Sequence, residues 1–210
     1  MKGYLVFKRI FDVVSAAAGL ILLLPLFAVT AVAIKLDSPG SVFYRGVRTG
    51  KNSKPFRIYK FRTMYVGREK PAGDTTALND PRITRVGGVL RKYKFDEFPQ
   101  LINVLKGEMS IVGPRPELPA YTDRYTAAEK LILAVRPGIT DLSSIKFSSL
   151  DEQVGAEKPD MVYEDKILPV KNRMRLEYVK NMSFLQDIKL ILLTFTAILR
   201  KASRNTRSCV

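Results

Sequence analysis

"VVSAAAGLILLLPLFAVTAVAI", residues 13–34, contains no charged side chain. Its length matches the roughly 20 apolar residues that carry a helix across the hydrocarbon core of a bilayer, so the stretch places the protein at a membrane. A cleaved signal peptide is the rival reading, suited by Lys2, Lys8 and Arg9 ahead of the run. The run is longer than the apolar region such peptides carry. Lysine and arginine also follow it, at Lys35, Arg45, Arg48 and Lys51. Basic residues on both flanks give a spanning helix no preferred orientation. Pro25, near the middle, removes a backbone donor and costs a helix interior roughly 3 kcal/mol unless a bend relieves it. A helix that enters, bends at Pro25 and returns satisfies both flanks. A proline-kinked spanning helix is the alternative, and the residues alone leave both open.

The remainder has the composition of a globular body. At 210 residues the chain is long enough for one domain with a real core, or one domain with appendages. Thirty-five Lys and Arg against 20 Asp and Glu give a formal charge of +15. Such an excess calls for a polyanionic partner: nucleic acid, an anionic membrane or phosphorylated substrates. Cys209 is the single cysteine, which excludes an intrachain disulfide, a thiolate cluster and a CxxC redox pair. The absence of histidine removes histidine-ligated zinc, Ser-His triads and Cys-His dyads. Any catalysis must run on carboxylates, Lys, Arg, Tyr, Ser or Thr.

Beyond the apolar run, "SVFYRG" (41–46) and "KPFRIYKFRTM" (54–64) alternate apolar and polar residues and predict two short strands. "VRTGKNS" (47–53) joins them as a turn, giving a hairpin. Residues 66–84 read as a polar loop around Gly67, Pro71, Gly73 and Asp74. The next segment, 84–107, predicts one helix through Val86 and Leu90 and a second through Leu101, Ile102, Val104 and Leu105, with Pro99 in its first turn. Asp96 and Glu97 then fall at or just before a helix N-terminus, where free amides favour negative charge. "GEMSIVGPRPELP" (107–119) and "VRPGIT" (135–140) read as constrained loops carrying Arg115 and Arg136. The tail, 183–201, reads as an amphipathic helix packed on the body or lying in the membrane interface.

Two apparent motifs fail. "GVRTGK" (46–51) has its glycines one residue too close for a phosphate-binding loop, and Asn52 stands where Ser or Thr should bind magnesium. The basic residues match no nucleic-acid motif, so nucleic acid is rejected as a partner. An adjacent Asp-Glu pair is by itself an ordinary wet corner of a surface. What raises it above that is the company of Lys60, Arg62, Arg91, Arg115 and Arg136 in the neighbouring segments. Cations with two carboxylates suit a diphosphate substrate, where a carboxylate can hold magnesium or attack phosphorus.

"KFRTM" (60–64), "DEFPQLINVLKGEMSIVGPRPE" (96–117) and "RPGIT" (136–140), in this order behind a membrane segment, resemble the bacterial sugar transferases known as monotopic phosphoglycosyl transferases. The resemblance covers nearly the whole chain. It implies transfer of a sugar phosphate from a UDP-sugar to undecaprenyl or another polyprenyl phosphate, with release of UMP, as the first membrane step of glycan assembly. It implies a re-entrant membrane helix and a catalytic domain on the cytoplasmic face of the bacterial inner membrane. Carried over by position, Asp96 is the nucleophile that forms a covalent phosphosugar intermediate, and Glu97 binds Mg2+. Lys60, Arg91 and Arg115 are phosphate ligands, joined by Arg62 and Arg136 on the strength of their motifs. An acyl phosphate is reactive enough to pass to a lipid phosphate, so the scheme needs no histidine. Two positions depart from the family pattern. Leu24 precedes Pro25 where a serine is often found, and "GITDLSSIKFSSL" (138–150) differs from the more familiar "GITGLAQV".

The expectation is an α/β protein: a re-entrant membrane helix over residues 1–38 and a compact, mainly helical catalytic domain over 39–210 containing a small β-hairpin. The partners expected are the UDP-sugar, the lipid acceptor and membrane lipid, with a homodimer left open. The rivals are a basic membrane scaffold without turnover and an ordinary glycosyltransferase that releases UDP.

Overall fold

The computed structural model describes residues 2–67, 80–147, 150–154 and 159–207. Most of the expected polar loop, including Pro71, Gly73 and Asp74, lies outside the described residues, as does Cys209. Helices dominate, and the sheets are three separate strand pairs. The α/β expectation therefore holds in its coarser form, a mainly helical body with small sheets.

The apolar run is part of one continuous helix, α1 (Lys2–Asp37), with Pro25 inside it. Among the described residues it is the one helix long and apolar enough to cross a membrane. Its buried positions, Lys8, Asp12, Ala16, Thr30 and Ile34, lie near its two ends, while Ile21, Leu22, Leu24 and Val29 between them are exposed. Both ends are tied to the same body. At the first, Arg9 donates to the carbonyls of Val104 and Leu105 at 2.8 and 3.1 Å, and Asp12 Oδ1 accepts from Ser110 Oγ and the Ile111 amide at 3.0 and 2.9 Å. At the second, Asp37 Oδ2 accepts from the Val86 amide at 3.0 Å, and Ile34 packs with Phe61 and Leu90.

The predicted hairpin forms as two antiparallel ladders. β1 (Phe43–Tyr44) pairs with β4 (Lys60–Phe61), and β2 (Val47–Thr49) with β3 (Pro55–Arg57). The sequence "VRT", assigned above to the turn, is thus strand, and only Lys51–Ser53 forms the tip. Asn52 and Ser53 there have positive φ, which closes the loop and frees the preceding residues to pair. α2 (Arg85–Lys92) and α3 (Gln100–Leu105) match the two predicted helices. Thr84 caps α2, its hydroxyl accepting from the Gly87 amide at 2.9 Å. Pro99 precedes α3 as its cap rather than sitting in its first turn.

A correction falls on the two Gly/Pro segments, expected as loops. β5 (Ser110–Val112) and β6 (Gly138–Thr140) pair in parallel, Ser110 opposite Gly138 and Val112 opposite Thr140. Between them the chain runs through α4 (Pro119–Thr122) and a 3-10 turn, Glu129–Ala134. The glycines serve close approach here: a Cβ on Gly138 would stand 2.1 Å from the Gly113 nitrogen. Short α5 (Leu142–Lys146), α6 (Leu150–Val154) and α7 (Pro159–Val162) lead to α8 (Leu168–Lys180) and α9 (Phe184–Arg207). The tail helix α9 buries Asp187 and Leu190 but exposes Leu185, Leu192 and Phe195. It is packed on the body along one side and apolar on another.

Asn103 joins the helical and strand parts. It is fully buried; its Oδ1 accepts from the Tyr59 amide at 2.8 Å, and its Nδ2 donates to Arg57 O at 2.9 Å and Glu108 Oε2 at 2.7 Å. Replacing it by alanine strands the part-buried Tyr59 amide and Arg57 carbonyl, each costing up to about 1–3 kcal/mol. Asn103→Ala is expected to lower the melting temperature of the detergent-solubilised protein by on the order of 10 °C for a chain of this length. An unchanged melt would contradict the assigned joint.

Candidate active site

The acidic pair is built by a change of direction. After α2, Lys94 adopts the left-handed conformation (φ 60°, ψ 19°), and the chain turns into a 3-10 segment, Phe95–Glu97, that leads to α3. Asp96 is 8% exposed, and its Oδ1 has no hydrogen-bond partner among the described residues. Glu97 lies beside it, held by cations through both oxygens. Lys60 Nζ on β4 donates to Glu97 Oε1 at 2.8 Å, and Arg115 Nη1 donates to Oε2 at 2.9 Å. Arg115 Nη2 also donates to Oε1, completing a two-pronged contact.

These surroundings push the two carboxyls apart. Burial raises Asp96; the Lys60 charge opposes that, Glu97 adds to it, and the net direction is upward. Burial also works against an ionised Glu97, but Arg115 and Lys60 outweigh it and hold that carboxyl well below the usual range. The outcome is a division of labour: one carboxylate locked by two cations, its neighbour buried with a free oxygen. Arg91, on the last turn of α2, and Lys94 both favour the ionised form of Asp96.

Arg115 has its own support. Its amide donates to Asp141 Oδ2 at 3.2 Å, and the parallel ladder fixes the loop that carries it. Behind it lies a buried network. Arg175 on α8 donates to Glu117 Oε1 at 2.7 Å and lies 3.6 Å from Asp141 Oδ2, while Tyr163 donates to the same Glu117 oxygen at 2.6 Å. Lys171 stands 3.4 Å from the Tyr163 hydroxyl, and burial pushes its ammonium down to about 8.

Two expected site cations stand elsewhere. Arg62 is buried and donates to the backbone carbonyls of Ser38 and Pro39, just past the end of α1. Arg136 donates through Nε to Gly107 O at 2.8 Å, at the end of α3. The structure brings Lys60, Arg115 and Glu97 into contact and leaves these two outside that cluster. Sequence reading missed Asn103, Asp141, Glu117, Lys171 and Arg175. The available signal was in α8, where Lys171, Asn172 and Arg175 occupy a buried helical face that apolar residues would ordinarily fill.

Comparison with known proteins gives the class. The bacterial sugar transferase family model matches residues 3–201, and the chain belongs to this family. It is 39% identical over 200 residues to the UDP-glucose:undecaprenyl-phosphate glucose-1-phosphate transferase of Escherichia coli, covering 93% of this chain and 41% of that protein. It is 37% identical over 195 residues to the Caulobacter vibrioides protein of the same name, covering 91% and 69%. It is 39% identical over 198 residues to the exopolysaccharide production protein PSS of Rhizobium leguminosarum, covering 89% and 92%. The chain is therefore a transferase of the sugar-phosphate class.

Two predictions follow from the charges. Asp96 titrates above its unfolded value, so its ionised form subtracts from stability at neutral pH; the deficit begins to shrink as pH falls through the folded pKa and is gone below the unfolded one. Asp96→Asn is thus expected to melt higher than the wild type at pH 7, with the gap closing in acid. A lower melt at pH 7 would contradict this environment. For Arg62, replacement by lysine removes the planar fork that reaches two carbonyls. Arg62→Lys is expected to lose about 1–3 kcal/mol of stability without changing the donor KM; a large KM change at unaltered stability would restore it to the substrate site.

Proposed function

We propose that the protein transfers a sugar-1-phosphate from a UDP-sugar to undecaprenyl phosphate, releasing UMP, as the first membrane step in assembling a glycan. The observation that carries this reading is the asymmetric carboxylate pair, with Glu97 ion-paired to Lys60 and Arg115 and buried Asp96 retaining an unpartnered oxygen. The relatives named above for UDP-glucose and undecaprenyl phosphate support it.

In the proposed reaction the Asp96 carboxylate attacks the sugar-bearing phosphorus of the donor. The bond between that phosphorus and the bridging anhydride oxygen breaks, UMP leaves with that oxygen, and an acyl phosphosugar remains on Asp96. An oxygen of the lipid phosphate then attacks the same phosphorus, giving a lipid diphosphate sugar and returning the carboxylate. Raised basicity improves Asp96 as a nucleophile, while Lys60, Arg91 and Arg115 balance the charge of the diphosphate. Among the described residues no group of three metal-binding side chains occurs. Magnesium usually takes only one or two carboxylates and completes its shell with water and substrate phosphate. The pair fits that role: Asp96 Oδ1 is free, and Glu97 Oε2 accepts from Arg115 alone. When bound there, Mg2+ neutralises phosphate oxygens.

For the membrane arrangement, we take residues 1–38 as a re-entrant element and 39–210 as an interfacial catalytic domain on the cytoplasmic face. A straight 36-residue helix is about 54 Å long. Contacts of both its ends with one body, and an exposed apolar middle around Pro25, favour entry and return on one side of the bilayer.

The test is nucleotide release from a panel of UDP-sugars with magnesium and undecaprenyl phosphate. The wild type should release UMP with at least one sugar, and Asp96→Asn should lose at least a thousandfold, comparable to removing an attacking nucleophile. Release of UDP, or equal release of UMP by both proteins, would refute the mechanism.

A further inference from the structure

A second group of cations lies away from the acidic pair. Lys8, Arg9, Lys51 and Arg136 line a cavity of about 110 Å³ between α1, the end of the first hairpin, β5 and α8. Its lining includes none of Lys60, Asp96, Glu97 or Arg115. Such a space holds several waters or one small anionic group. Two of the four charges are offset: Lys8 pairs with Asp187 at 2.7 Å, and Asp12 is in the wall. Two positive charges remain uncompensated, matching the charge a phosphomonoester carries at neutral pH.

The cations are held rather than loose. Arg9 and Arg136 are both anchored to carbonyls at the end of α3, those of Val104, Leu105 and Gly107. Arg136 uses Nε for this bond, which leaves its two terminal nitrogens without a partner among the described residues. Lys51 is exposed at the hairpin tip, and its ammonium has no partner among the described residues. The rest of the wall is apolar, with Leu5, Val112 and Met182. Leu5, Val6, Phe7 and Ile10 on the adjoining turns of α1 are all exposed, the surface expected of a helix that meets acyl chains. A cationic cavity bordered by exposed apolar side chains suits the headgroup level of a bilayer, where long cationic side chains reach towards phosphate.

We propose that this cavity binds the phosphomonoester headgroup of a membrane lipid, at a site separate from the acidic pair. The full chain in neutral detergent, mixed with phosphatidic acid and with phosphatidylglycerol of the same acyl chains, is examined by native mass spectrometry. One phosphatidic acid should be retained in preference to phosphatidylglycerol. Lys51→Ala should weaken that retention about fivefold, the effect of one interfacial cation at roughly 1 kcal/mol. Because Lys51 is exposed, its replacement should leave the lipid-free melting temperature unchanged, and Arg9→Gln, at a half-buried position of the same wall, should weaken retention as well. Excess UDP should leave the lipid in place. Equal retention of the two lipids, or no effect of Lys51→Ala, would overturn the proposal. Displacement by inorganic phosphate at equal concentration would reassign the cavity to a soluble anion, and displacement by UDP would place the lipid at the acidic pair; either result also overturns it.

Discussion

Glu97 is where three parts of the chain meet: the 3-10 turn that carries it, the strand lysine Lys60 and the loop arginine Arg115. Burying a carboxylate with its cations carries a large desolvation cost, and removing one partner leaves the others stranded. The contact therefore makes the hairpin, the acidic turn and the parallel ladder interdependent. It also bears on Asp96, whose ionisation is opposed by burial and by the charged Glu97 and favoured by Lys60. Two adjacent carboxyls thus acquire different properties in a chain without histidine.

The elements behind this contact explain why a small, sheet-poor body can hold it. Asn103 ties α3 to the strand segment that precedes Lys60, and Asp141 receives the Arg115 amide. The Arg175–Glu117 pair backs the Arg115 loop from the side of α8. Helix α1 closes the arrangement from the membrane side: Arg9 holds the C-terminal carbonyls of α3, Asp12 holds the first residues of β5, and Asp37 caps α2. The membrane helix is structurally part of the body that carries the acidic pair.

Much of this was readable from residue order. The apolar run, the two central helices, the amphipathic tail and the hairpin follow from periodicity and turn residues. Strand β2 was hidden because "VRTGKNS" has turn composition, although only its last three residues form the tip. The parallel ladder was hidden more deeply. Three-residue strands set in Gly/Pro-rich segments are too short to show alternation, and the two are separated by the whole 113–137 connection. At the acidic pair, Lys60 and Arg115 could be named but their convergence on Glu97 could not, since it depends on tertiary packing. Arg62 and Arg136 show the opposite: a cation in a motif can serve the backbone, as both do at helix ends. The buried polar residues of α8 escaped because single-sequence reading assigns charged residues to solvent.

The central claim is that Asp96 itself carries the phosphosugar between donor and acceptor. The most direct measurement omits the acceptor: the protein is incubated with magnesium and a UDP-sugar it uses, labelled in the sugar, then quenched and analysed by peptide mass spectrometry while UMP is counted. The account predicts a burst approaching one UMP per enzyme and a phosphosugar on the peptide containing Asp96, discharged when undecaprenyl phosphate is added. UMP formed only after the lipid is supplied, with no label on the protein, would mean direct transfer and would contradict it.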